Sequence, residues 1–264
     1  MIDIHTHILP GLDDGAKTLN ESIQMIQQAL DVGVSAICAT PHILDGVSSS
    51  LEEQINRSFT LLRSQLVKRK MTTRLVLGSE IYIRHDIESL RNFSFFSLNQ
   101  TNKYLLVELP MGGLPSGVDQ LIHSLQLEGL TCIIAHPERC FIRKDPLSEI
   151  NNMVSKGALI QINAGSILGH FGKEARKMAE SLLEHNLVHF MASDAHNASS
   201  ASITVLFQAL EKLCQLVGKI KTEELVIHNP SKVLEGKSLW SHEKDTSVGE
   251  KPSLEERSLS EISQ

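Results

Sequence analysis

Short apolar runs rich in β-branched residues alternate along this chain with longer segments whose apolar residues recur every three or four positions. The short runs predict strands over Met1–His5, Ala36–Thr40, Leu75–Glu80, Tyr104–Leu109, Thr131–Ala135, Leu159–Ile162 and Val188–Ala192. The longer segments predict amphipathic helices. Ile23, Ile26 and Leu30 form one stripe, and Leu51, Ile55, Phe59, Leu62 and Leu66 another. Val118, Leu121, Ile122 and Leu125 continue the spacing, as do Met178, Leu182 and Leu183, then Val205, Leu206, Ala209, Leu210 and Leu213. A last short helix is expected at Thr222–His228, stopped by Asn229-Pro230.

Strand–helix alternation with nearly continuous apolar strands implies a parallel sheet buried on both faces. Seven such units form either an open doubly wound sheet or a barrel. No G-x-G-x-x-G or P-loop follows an early strand, which weakens the nucleotide-binding open sheet. The expectation is a distorted TIM-like (β/α)7 barrel over residues 1–235. The segment 236–264 is rich in Ser, Glu and Lys with a lone Trp240, and is expected to be a disordered polar tail.

The strand ends carry the chemistry. The first ends at His5 and His7, the second at His42, the third at Glu80 and the fourth at Glu108. The fifth runs into His136-Pro137-Glu138-Arg139, the sixth into Asn163, and the seventh into Ser193-Asp194-Ala195-His196. Side chains alternate along a strand, so His5 and His7 share a side. A lone H-x-H is most simply two surface histidines. In a parallel barrel, however, all strand C-termini meet at one face. The gathered imidazoles and carboxylates would be costly unless metal ions joined them. His123, His170, His185, His189 and His228 fall in helical, connecting or early-strand positions and are not expected to be ligands.

Bulk properties remove other classes. The 264 residues carry a formal net charge of −6, which argues against nucleic acid or anionic lipid as partner. No apolar run is long enough to span a membrane, and the N-terminus lacks a signal-peptide pattern. Cys38, Cys132, Cys140 and Cys214 form no C-x-x-C, which fits reduced thiols in the cytoplasm. Six residues separate Cys132 from Arg139, one too many for the phosphate-cradling loop of thiol phosphatases, so no thiolate nucleophile is evident.

The strings MIDIHTHILPGLDDGA, ATPH at Ala39–His42, GSEI at Gly78–Ile81, AHPER at Ala135–Arg139, GSILGHFGK at Gly165–Lys173 and ASDAHN at Ala192–Asn197 carry a resemblance. The chain resembles the polymerase-and-histidinol-phosphatase (PHP) superfamily. Within it, the chain is similar to bacterial manganese-dependent tyrosine-protein phosphatases linked to capsule and exopolysaccharide regulation. That resemblance implies two or three divalent ions, manganese by family preference, with iron or zinc also suited to the donors. It implies one metal on His5, His7, Glu80 and Asp194, and a second sharing Glu80 with Glu108 and His136. A third would take Asp14, His42 and His196. The substrate implied is a phosphotyrosine protein, the tail of a bacterial tyrosine kinase.

Clustered divalent ions turn water into hydroxide near neutral pH and neutralise phosphoryl oxygens, so direct attack on phosphorus needs no covalent enzyme intermediate. Arg139 is the candidate phosphate fork, with a structural salt bridge as the plainer role. His42 or His196 is the candidate proton donor. Another phosphoesterase activity of the superfamily, on histidinol phosphate or a nucleotide, is one competing reading. A weakly active or non-catalytic regulator is the other. No ligand is lost, but Ala201 stands where relatives commonly carry a second arginine. Ala201→Arg is therefore expected to raise kcat/KM for p-nitrophenyl phosphate in manganese-loaded protein. An unchanged constant would mean that another group already fills the role.

Overall fold

The computed structural model describes residues 1–44, 47–140, 145–199 and 202–239. Ala201, Arg143, Trp240 and nearly all of the expected polar tail lie outside the described residues.

Among the described residues nine strands occupy seven positions around a ring: β1 (Ile2–Thr6), β2 (Ala36–Ala39), β3 (His42–Ile43), β4 (Arg74–Leu77), β5 (Glu80–Tyr82), β6 (Tyr104–Glu108), β7 (Thr131–Ala135), β8 (Leu159–Asn163) and β9 (Phe190–Ala192). All pairings are parallel. Beyond the expected strand Ala36–Thr40 the chain breaks at Thr40-Pro41 and pairs again as β3, and the expected strand Leu75–Glu80 is itself broken at Gly78-Ser79 into β4 and β5. Proline at position 41 has no N–H for a ladder, which accounts for the first break. The lower pieces pair as β1-β2-β4, and the upper pieces enter β3-β5-β6-β7-β8-β9. The Gly78 N–H to Ala39 O bond (2.9 Å) and the Glu80 N–H to Pro41 O bond (3.1 Å) carry the pairing across both breaks.

The ring closes between the first strand and the segment after the last. Asp194 N–H donates to His5 O at 3.0 Å, and His7 N–H to Ala195 O at 2.8 Å. The barrel is thus complete, which excludes the open doubly wound alternative.

Around it run α1 (Leu19–Asp31), α2 (Ser49–Lys68), α3 (Val118–Leu127), α4 (Pro146–Ser155), α5 (Ala164–Leu168), α6 (Gly172–Glu184), α7 (Val205–Gln208), α8 (Leu210–Glu223) and α9 (Asn229–Leu234). Thr18 and Ser48 cap α1 and α2 by accepting backbone N–H bonds from Glu21 and Leu51. The expected stop at Asn229-Pro230 does not occur. Residues 224–228 form a wide π-turn, and Pro230 then sits in the first turn of α9, where a missing N–H costs nothing.

Two apolar layers result. The outer one packs Ile37, Leu75, Leu105, Ile134 and Ile160 of the strands against Met25, Ile55, Leu62, Ile122 and Leu182 of the helices. The inner one fills the lower barrel with Ile4, Cys38, Val76, Leu106, Ile133 and Phe190, and Val233 and Leu234 of α9 join it. Higher in the barrel the lumen turns polar. Among the described residues no helix is long and apolar enough to cross a membrane.

His189, just before β9, is buried, and its Nδ1 accepts from the Ile160 N–H at 3.1 Å. Burial, with the Lys221 charge in support, pushes this imidazole down to about 4. The unfolded chain takes up the proton near pH 6.5, whereas the fold resists it. The stability held by neutral His189 is therefore complete above pH 6.5 and is lost as pH falls towards 4. Urea unfolding at pH 7 and pH 5 is expected to show a loss about 2 kcal/mol larger for wild type than for His189→Gln. Equal losses would contradict it.

Candidate metal centre

The first strand delivers its histidines through an irregularity. Between Asp3 and Thr6, β1 holds one residue more than β2 does between the paired Ile37 and Ala39. Such a bulge re-aims side chains. Ile4 can pack into the inner apolar layer while His5, its neighbour, also reaches the polar upper lumen. His7 follows His5 by two residues and reaches the same point.

Glu80 stands at the centre. Its Oε2 lies 3.1 Å from His5 Nε2, 3.2 Å from His7 Nε2 and 3.1 Å from His42 Nδ1, while Oε1 lies 2.9 Å from His136 Nε2. Asp194 Oδ1 lies 3.3 Å from His5 Nε2, 3.4 Å from His7 Nε2 and 3.6 Å from His196 Nδ1. Asp14 Oδ1 faces His42 Nε2 at 3.5 Å and His196 Nε2 at 3.4 Å. Glu108 stands 3.7 Å from His42 Nδ1. Every strand-end candidate is thus brought to one place. Three-residue groupings place Glu108 with His42 and Glu80, and His136 with His5 and Asp194. His7 joins Asp14, His42 and His196. His123, His170, His185, His189 and His228 enter no such group among the described residues.

The donor set fits metal ions. Glu80 Oε2, Asp194 Oδ1 and His42 Nδ1 are buried and have no hydrogen-bond partner despite the nitrogens and oxygens around them. His5 Nε2 and His7 Nε2 are 3.2 Å apart, and with Glu80 Oε2 they make a nearly equilateral triangle. That is the spacing of adjacent donors around one divalent ion with bonds of about 2.0–2.2 Å.

Neighbouring groups set each ligand. His5 Nδ1 donates to Gln161 Oε1 at 2.8 Å and His7 Nδ1 to Asp13 Oδ2 at 2.9 Å. Both leave Nε2 as the lone-pair nitrogen facing the cluster. Asp13 also accepts from the Gly15 and His42 N–H groups. Burial alone would raise its carboxyl, but these bonds, that of His7 foremost, hold it at about 2. Gln161 Nε2 donates to Asn163 Oδ1 at 2.9 Å, and Asn163 Nδ2 to Asp194 Oδ2 at 2.7 Å. Buried Glu138 accepts from the Asn163 N–H at 2.8 Å and from the Ser166 hydroxyl at 2.7 Å. Arg139 NH1 donates to Asp194 Oδ2 at 2.7 Å.

Charge coupling across the cluster is strong. Burial disfavours the charged forms of both His5 and Glu80. Even so, Glu80 and Asp194 carry His5 up to about 9, and His5 and its neighbours keep Glu80 well below the carboxylate range. Glu108 is raised by burial and by the nearby Glu80 charge, and His42 is lowered by burial and by His7. His136 and Asp194 both sit in the left-handed region, at φ 32° and 53°. That conformation costs about 1–2 kcal/mol per residue, and strain of this kind gathers at functional sites.

Asp13 and Gln161 are positioning residues that the strand-end pattern leaves out, and Asn163, which that pattern includes, bonds Asp194 rather than entering a ligand group. A polar pair inside the otherwise apolar Leu159–Asn163 run is a sequence signal for Gln161 and Asn163. Asp13 in the Asp-Asp-Gly turn reads only as a turn former. The cysteines take no part in the cluster. Cys38, Cys132 and Cys140 are buried with their thiols pushed up to about 12, and Cys214 lies on α8.

Fold and site together define an α/β-barrel protein with a cluster of candidate metal ligands at the C-terminal ends of its strands. The chain belongs to the capsular polysaccharide synthesis CpsB/CapC family, whose model matches residues 1–235. It is 42% identical over 202 residues to the tyrosine-protein phosphatase YwqE of Bacillus subtilis, covering 76% of this chain and 79% of that one. It is 32% identical over 240 residues to the tyrosine-protein phosphatase CpsB of Streptococcus agalactiae, covering 89% and 98%. A crystal structure from work on YwqE of Bacillus subtilis and CpsB of Streptococcus pneumoniae, described as unique metal-dependent tyrosine phosphatases, superposes with a TM-score of 0.82 at 36% identity. The match covers 91% of this chain and 96% of that one.

Asp13→Ala and Gln161→Leu each remove the partner that orients a histidine. Both are expected to weaken divalent-metal binding about 10–100-fold in competition with a chromophoric chelator. Wild-type affinity in both variants would show that the two histidines need no such support.

Proposed function

We propose that this protein is a metal-dependent protein-tyrosine phosphatase that binds manganese and acts in the reducing cytoplasm. Its substrate would be the phosphorylated tail of a tyrosine kinase of the capsule or exopolysaccharide system. One observation carries this reading. Buried Glu80 Oε2 and Asp194 Oδ1 lack hydrogen-bond partners while facing His5 and His7, with a guanidinium adjoining. The phosphatase names of the relatives and the family's capsular role support the substrate class, and the free cysteines support the compartment.

The candidate ligands are His5, His7, Asp14, His42, Glu80, Glu108, His136, Asp194 and His196. Ions bound there would supply a water nucleophile of lowered pKa and neutralise charge on the phosphoryl group. The chain's own residues do the rest. His5, His7, Glu80, His136 and Asp194 are buried and exclude bulk water from the floor of the site. Asp14, His42, His196 and Glu108 are partly open to solvent and line the entrance. Arg139 commits NH1 to Asp194 and has its remaining N–H groups to hold a phosphate oxygen against the cluster. In this reading His42 or His196 hands a proton to the departing oxygen. That demand is light for tyrosine, whose phenol has a pKa of about 10, compared with an alkyl alcohol.

Chelator-stripped protein is expected to be inactive and to regain hydrolysis of phosphotyrosine peptides with manganese. Glu80→Gln should lower kcat by about 10²–10³-fold. Failure of the manganese-loaded protein to act on phosphotyrosine peptides and p-nitrophenyl phosphate would overturn the proposal. Preference for histidinol phosphate in the same panel would replace it with the sister activity.

A further inference from the structure

The segment Gly165–Lys173 supplies no candidate ligand, yet its backbone is elaborately turned. Gly169 N–H donates to Ser166 O at 3.0 Å, His170 N–H to Gly165 O at 2.9 Å, and Gly172 N–H to Gly169 O at 3.1 Å. Gly172 takes φ +91°, open to glycine and strained for other residues. At Gly165 an added Cβ would stand 2.9 Å from Phe171 Cε2, so only glycine lets the ring lie there. The product of these turns is one aromatic ring held in place and 44% exposed.

That ring meets the site. The Arg139 guanidinium carbon lies 4.3 Å from the Phe171 ring centroid, a cation–π contact. Ser166, in the same segment, donates to Glu138, the residue before Arg139. Arg139 is therefore held at one nitrogen by Asp194 and across its plane by Phe171. Arg139 and Phe171 together line a cleft of about 450 Å³, with Met111 and Met178 among its apolar walls. Thioether side chains adapt to an inserted ring and interact favourably with it.

We propose that Phe171 is the aryl-recognition residue of this site. With the phosphate on Arg139, the phenyl ring of the substrate enters the cleft against Phe171, between the two methionines. An alkyl phosphate has no ring to place there. Selection of phosphotyrosine over phosphoserine then arises at Phe171, while the ligand cluster treats the two phosphates alike. This assignment takes its substrate from the phosphatase reading above.

The test is calorimetric binding of two non-hydrolysable probes, phenylphosphonate and methylphosphonate, to the manganese-loaded full chain. Wild type is expected to prefer phenylphosphonate about tenfold, the scale of one good aromatic pair. Phe171→Ala should bring the ratio close to one, Phe171→Trp should keep it, and Phe171→Leu should lower it despite similar bulk. Metal content measured on each variant shows that the ligand cluster survives. No preference in wild type, or an unchanged preference in Phe171→Ala or Phe171→Leu, overturns the assignment. The two readings fail separately. A preference that Phe171→Ala erases in a protein without turnover leaves the ring site standing and removes the phosphatase. Turnover of phosphotyrosine with a ratio indifferent to residue 171 does the reverse.

Discussion

Two backbone hydrogen bonds between the ends of the first and last strands hold the molecule's chemistry together. Asp194 N–H to His5 O and His7 N–H to Ala195 O close the barrel, and three of those four residues are themselves candidate ligands, while the fourth, Ala195, lies between two of them, Asp194 and His196. The closure that buries the lumen is therefore the act that brings Asp194 beside His5 and His7. The positive φ of Asp194 belongs to the same bargain. The backbone accepts a left-handed turn so that its N–H reaches β1 while its carboxylate turns inward.

Burial would ordinarily forbid such a gathering of carboxylates and imidazoles. Here the cost is met by mutual compensation. Glu80 and Asp194 are flanked by imidazoles, and those imidazoles are oriented from behind by Gln161 and Asp13. A chain of amide hydrogen bonds runs from His5 through Gln161 and Asn163 to Asp194, so a candidate ligand from the first strand is tied to one following the last through β8. Glu138 anchors that chain from the far side. The apolar lower lumen, plugged by Val233 and Leu234, keeps water from reaching the cluster from below.

Much of this was legible in the chain because parallel barrels send all strand C-termini to one rim. Residue type at each strand end therefore sufficed to gather His5, His7, His42, Glu80, Glu108, His136, Asp194 and His196. What hid from the sequence depends on local register or on partners remote along the chain. The bulge in β1 leaves no compositional mark in Ile2–Thr6, and periodicity alone does not split Leu75–Glu80 at Gly78-Ser79. Asn229-Pro230 reads as a stop, yet proline is equally at home in a helix's first turn, and only the packing of α9 under the barrel decides between them. Asp13 looks like a turn former and is one, and its second task becomes visible only when His7 is folded over it.

The closure also bears on how the protein comes into being. Ser193 N–H meets Asp3 Oδ1 across 190 residues of chain, beside the bonds that seal the ring. Contacts between such distant segments are entropically dear, and a nascent chain cannot make them until its last strand has emerged. During synthesis His5 and His7 emerge long before Asp194, and they wait for it until the barrel is almost finished. Assembly of the complete candidate ligand set is thereby coupled to completion of the fold, and a truncated or half-made chain holds only an unfinished site.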